Sequence, residues 1–163
     1  MTAVSTTVLQ QLRRLALLLV GAVLCFGLTA CGEAKAKTPV LSDADIAIIE
    51  RQAEGFLAAR DRLPELAALV NNKDWTFTRN LIRGPMQEVG RQMYVINEHL
   101  LPADRSEASQ RANNLKTALA QLDEAAVLQD ADKLRKGYIK VASGFGLYAQ
   151  MLPAQVQEDL KQT

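Results

Sequence analysis

The chain has 163 residues, room for one domain, with nineteen basic residues against eighteen acidic and only 5% aromatics. Near-neutral charge excludes the strong basic field that nucleic-acid binding needs. Ala, Leu, Glu, Gln, Lys and Arg are abundant, and these favour helices, so the composition leans all-α.

The N-terminus comes first. Arg13 and Arg14 are the only charges in residues 1–30, and Leu15 to Gly27 is almost wholly apolar. A basic start, a short apolar run and small residues before a cut describe a secretory signal peptide. The run is short of the roughly 20 apolar residues of a membrane span. Leu28-Thr29-Ala30-Cys31 resembles the lipobox of bacterial lipoproteins. In that class the chain is cut before the cysteine, its thiol takes a diacylglycerol, and the new N-terminus is acylated. The expectation is a removed signal over residues 1–30 and a lipid attached at Cys31. Cys25 leaves with the signal, so Cys31 has no internal disulfide partner. Losing Arg13 and Arg14 leaves seventeen basic residues against eighteen acidic, a net charge of −1.

Residues 31–41 carry Gly, Lys, Glu, Thr and Pro without periodicity and read as a flexible lipidated tether. Extended, ten such residues reach about 33 Å.

From residue 42 apolar residues recur at helical spacing. Ser42 is a cap, with Asp43 and Asp45 in the first turn. The first seam runs Ile46, Ile49, Ala53, Phe56, then Leu63, Ala67 and Val70 after a gap at Arg60. Asn71 to Lys73 is a turn. A second seam, Ile82, Met86, Val89, Met93, Ile96, Leu100, follows a cap at Asp74 and stops at Pro102. A third takes Ala108, Ala112, Leu115, Leu119, Leu122 and Ala126. A fourth, capped by Asp130, takes Leu134, Tyr138, Val141, Phe145, Tyr148 and Leu152 before Pro153. The last three step by fours and threes, the stripe of knobs-into-holes packing. The fold is therefore an up-down-up-down four-helix bundle over residues 42–153, with a C-terminal tail at 154–163. Pro64 and Pro85 fall inside periodic stretches, and an interior proline costs about 3 kcal/mol. The seams continue across both, which predicts kinked helices. Trp75, Phe77, Tyr94, Tyr138, Phe145 and Tyr148 are assigned to the core and its rim.

Asp74 to Glu88 reads DWTFTRNLIRGPMQE. With its tryptophan opening the second helix and its Ile-x-Gly-Pro stretch flanked by arginines, it resembles the PsbQ-like extrinsic proteins of photosystem II, in their lipidated cyanobacterial form. Arg60 to Leu66, RDRLPEL, is similar to the family's first helix, and the likeness covers most of residues 42–153. The resemblance implies a four-helix bundle on the lumenal face of the thylakoid membrane, held there by its lipid. It implies photosystem II lumenal subunits as partners, including the manganese-stabilising protein and an inner-antenna chlorophyll protein. It implies stabilisation of the oxygen-evolving complex without catalysis.

The residues themselves are compatible with this. No catalytic triad, P-loop or haem attachment motif occurs, so no enzyme is expected, and no cofactor beyond the covalent lipid on Cys31. Arg79 and Arg83 stand four apart on one helix face. The stem of Arg79, like that of Arg60 in the first seam, can pack at the core edge with its guanidinium in water or on a carboxylate. Alternatively Arg79 and Arg83 form a docking patch for partner carboxylates. Lys133, Arg135, Lys136 and Lys140 make a basic run whose default is a solvated face, with an acidic partner or lipid headgroups as the alternative; Lys133 and Lys136 are its docking candidates. His99, the single histidine, reads as a surface residue near a helix C-terminus. No physiological metal site is expected, only adventitious zinc on His99 and nearby carboxylates. A second function class remains open here: a periplasmic helical-bundle lipoprotein that binds a metal or a small ligand.

Overall fold

The computed structural model describes residues 39–160. Cys31, the signal sequence and most of the tether lie outside the described residues. Seven helices occur among those described: α1 (Asp43–Arg60), α2 (Leu63–Asn71), α3 (Trp75–Arg83), α4 (Val89–His99), α5 (Pro102–Val127), α6 (Ala131–Ala149) and α7 (Ala154–Asp159). They build the four arms of an up-down-up-down bundle. α1 with α2 forms the first arm, α3 with α4 the second, and α5 and α6 the third and fourth. α1 lies against α4, α2 against α3 and α6, α3 and α4 against α5, and α5 against α6. None of the described helices is long and apolar enough to cross a membrane.

The first two arms break at their prolines rather than kinking. Within a continuous helix Pro64 could not donate to the Arg60 carbonyl, and its ring would collide with it. The chain instead closes α1 with an Arg62 N–H to Ala59 O bond of 3.2 Å and restarts at Leu63, with Pro64 in the first turn, where no donor is missed. The restart turns the helix. Leu66 and Val70 enter the core, while Ala67 is only partly buried. At Pro85, Gly84 leaves helical geometry with φ −99° and ψ −99°. The Leu81 carbonyl, which a residue with an N–H at position 85 would satisfy, accepts from Met86 N instead at 3.3 Å. Met86 is thereby carried inward and is buried.

Two turns use one device. Lys73 and Gln129 adopt positive φ, 54° and 53°. After each, an aspartate N–H reaches back five residues, Asp74 to Leu69 O at 2.9 Å and Asp130 to Ala125 O at 3.0 Å. These bonds satisfy carbonyls that the ending helix leaves open. The same aspartates then cap the next helix, accepting from Phe77 N at 3.1 Å and Lys133 N at 3.0 Å.

The second, third and fourth seams all point inward, with Tyr138 at the rim. Two aromatic assignments fail: Phe77 is 60% exposed and Tyr94 64%. In α3 the inward positions are Thr78, Leu81 and Ile82, so Phe77 faces out. Phe56, Phe145 and Tyr148 form the aromatic centre, with Phe56 ring centroids 5.3 Å from Phe145 and 5.0 Å from Tyr148. The Tyr148 hydroxyl lies 2.9 Å from Asn97 Oδ1 and 3.0 Å from the Met93 carbonyl, so its one proton serves two acceptors on α4. Burial pushes its phenol well above the usual range. Tyr148→Phe leaves the buried Asn97 oxygen without this donor. It is expected to cost about 1–3 kcal/mol, read as a lower urea midpoint at unchanged slope.

The segment after Pro153, expected as a tail, continues as α7. Val156 is fully buried there and α7 rests on α1. The apolar Val156 and Leu160, four apart, supply the face that holds it.

Candidate functional site

α3 is short but strongly two-sided. Asp74 fixes its start, Leu81 and Ile82 hold its inner face, and Arg79 and Arg83 project from one edge towards α5. There they meet Asp123. Arg83 grips it with both ends of its fork, Nε to Oδ1 at 3.1 Å and Nη2 to Oδ2 at 2.7 Å. Arg79 Nε adds a longer contact to Oδ1 at 3.3 Å. The Asp123 side chain is 18% exposed, whereas that of Arg83 is 61% exposed. The arginine pair therefore stands over one carboxylate at the bundle edge, with more positive than negative charge. Beside it opens a groove of about 310 Å³ between α3 and the end of α5, floored by Trp75 and Ala126.

The hydrogen bond from Arg83, with a smaller one from Arg79, holds the Asp123 carboxyl below the ordinary carboxylate range, and Asp123 raises Arg83 in return. A depressed folded value gives stability that is fully present above the unfolded pKa, near 3.9. It is lost as pH falls through the folded value. Asp123→Asn is therefore expected to cost about 1 kcal/mol at pH 7, discounted for the exposed partner. Its cost should shrink below pH 4. Denaturant titrations of both forms at pH 7 and pH 3 check this; an equal difference at both would remove the ion pair from the account.

Asp123 is the residue that sequence reasoning missed. It sits beside Leu122 in the α5 seam, but nothing local links it to arginines forty residues away. Lys133 and Lys136 lie on the other side of the α5 terminus. Together with Lys140 they line a second groove between α5 and α6, of about 290 Å³. Lys133 Nζ is 3.3 Å from Asp130, and Lys140 Nζ donates to Gln121 Oε1 at 3.2 Å. Lys136 has no ion pair among the described residues.

His99 is more engaged than a plain surface histidine. Its Nδ1 is 2.8 Å from Asp45 Oδ1, tying the end of α4 to the start of α1. This contact, and a smaller one from Ser42, lower the Asp45 carboxyl. Among the described residues no group of three His, Cys, Asp or Glu is placed to hold a metal ion.

A profile of the PsbQ family, described as Oxygen evolving enhancer protein 3, matches residues 1–153. The chain belongs to the PsbQ family. A relative called CyanoQ, from Synechocystis sp., is 27% identical over 147 residues, 89% of this chain and 96% of that protein. The PsbQ profile covers the N-terminal apolar run, Cys31, the arginine edge and all four arms of the bundle.

Proposed function

We propose that this chain is a non-catalytic extrinsic subunit of photosystem II, anchored to the thylakoid membrane by lipid on Cys31, that stabilises the oxygen-evolving complex from the lumenal side. The observation that carries this reading is the family match over residues 1–153. The lipobox at Cys31 supports the anchor, and residues 31–41 supply reach from the membrane to the bundle. Its partners are the lumenal subunits, with the manganese-stabilising protein and an inner-antenna chlorophyll protein as the surfaces it spans. Arg79, Arg83, Lys133 and Lys136 carry the docking, since they form the basic end of the bundle around the α5–α6 turn.

The mechanism is linkage. A subunit that binds only the assembled complex stabilises assembly by RT ln(1 + [L]/Kd). Lipid anchoring raises its local concentration at the membrane and thereby the occupancy. No cofactor is called for beyond the diacylglycerol and acyl chain on Cys31. The test is affinity purification through a C-terminal tag from mild-detergent extracts of native membranes. A green eluate that evolves oxygen is expected. A colourless eluate from abundant, lipidated protein would overturn the reading.

A further inference from the structure

The outer seam between α5 and α6 is concave and lined mostly by apolar surface. The groove at Lys133, Lys136 and Lys140 runs into a second hollow of about 450 Å³, and the two share Gln121 and Lys140. Together they extend from Leu128 to Asn114 on α5 and from Lys133 to Leu147 on α6. Fourteen helical residues span about 21 Å, or some four turns. The seam is hollow because Ala118, Ala125 and Ser143 leave little side chain to fill it.

Three large apolar side chains stand in or beside it without cover: Leu128 is 58% exposed, Ile139 61% and Leu147 47%. Such side chains scattered singly are ordinary; aligned along one groove they mark an interaction surface. The charge is one-sided too. Three lysines line the α6 lip and the α5 end, against a single lining carboxylate, Glu124. Lys133 is already on Asp130 at 3.3 Å and Lys140 donates to Gln121, so Lys136 is the lysine of the lip without a partner among the described residues; at the arginine edge Asp123 already sits between Arg79 and Arg83.

Resting on the function proposed above, we infer that this α5–α6 groove receives an acidic amphipathic segment of a partner protein, up to four helical turns long. Its apolar side covers Leu128, Ile139 and Leu147, and its carboxylates pair with Lys133, Lys136 and Lys140. A concave seam suits a rod-like segment laid along it, in the manner of helix-in-groove recognition. A flat headgroup surface would reach the lysines but leave the floor of the groove empty.

The experiment places a photo-crosslinking amino acid at Ile139, and separately at the exposed Tyr94 on α4 as a control, in the full-length lipidated chain in native membranes. A second arm reverses the lip with Lys133→Glu, Lys136→Glu and Lys140→Glu. The expected result is a crosslink from Ile139 to an acidic segment of a photosystem II polypeptide, with Tyr94 silent. The reversed chain should keep its helical content and melting but be retained on the complex roughly tenfold less or worse, since like charges placed face to face are costly. A crosslink to a second copy, to lipid alone, or equally from both positions would overturn the groove assignment, as would full retention of the reversed chain. If the unaltered chain does not co-purify with chlorophyll, the functional reading fails and this inference falls with it; if it does and Ile139 gives no partner crosslink, only the groove is wrong.

Discussion

Phe145→Ala is expected to lower the unfolding free energy by about 3–5 kcal/mol, a large share of the roughly 5–15 kcal/mol that holds a domain together. Phe145 is fully buried on α6, and its ring stacks against Phe56 of α1 in a tilted pair 5.3 Å apart. Tyr148 meets the same Phe56 ring at 5.0 Å. Truncation removes the aromatic burial and leaves a cavity between the first and fourth arms. The site collapses poorly, because Tyr148 is held by its hydroxyl on Asn97 and Met93. Urea unfolding followed by circular dichroism measures the loss. A cost below about 1 kcal/mol would mean that the ring does not occupy a close-packed core.

Gly144→Val should also destabilise, less severely and for the opposite reason. Gly137 and Gly144 lie seven apart on α6, facing Leu122 and Leu115, themselves seven apart on the antiparallel α5. A Cβ at Gly144 would sit 3.0 Å from Leu115 Cδ1 and 3.4 Å from its Cα. At Gly137 the corresponding distances to Leu122 Cδ1 and Cα are 3.2 and 3.3 Å. The glycines admit the partner leucines and let the two helices approach closely. A side-chain end can swing aside, but the α5 backbone cannot. Gly144→Ala is therefore expected to be tolerated or mildly costly. Gly144→Val, with two more methyl groups, should cost about 1–3 kcal/mol by overpacking. Gly146, with open space around its Cβ direction, is the control. Gly146→Ala should stabilise, since alanine is the better helix former by about 1 kcal/mol. Equal effects at 144 and 146 would contradict the close approach.

Much of the fold was legible in the sequence, and the reason is visible in particular residues. Ile82, Met86, Val89, Met93, Ile96 and Leu100 keep a strict alternation of fours and threes, and every one is buried. A stripe of that regularity has one packing solution. The first seam was legible as far as Phe56 and again at Leu63 and Val70, but not between them, because the phase there depends on how the chain turns at Pro64. Periodicity carried across the break placed Ala67 where Leu66 sits. α7 was hidden by its length: six residues are too few to show a period, and its stability comes from docking on α1. Arg79 and Arg83 could be seen as a pair, but Asp123 could not be joined to them, since contacts between arms leave no local pattern. The same holds for the α5–α6 groove. Its lysines were a visible run, but the hollow beside them forms only when α5 and α6 pack together.

In the function proposed above, the chain binds assembled photosystem II and holds its oxygen-evolving side together. The purified chain is added to photosystem II particles from cells that lack it, and both binding and the survival of oxygen evolution are followed. Saturable binding at a fixed stoichiometry is expected, with activity lost more slowly as occupancy rises. No binding, or binding that leaves the loss of oxygen evolution unchanged, would contradict it.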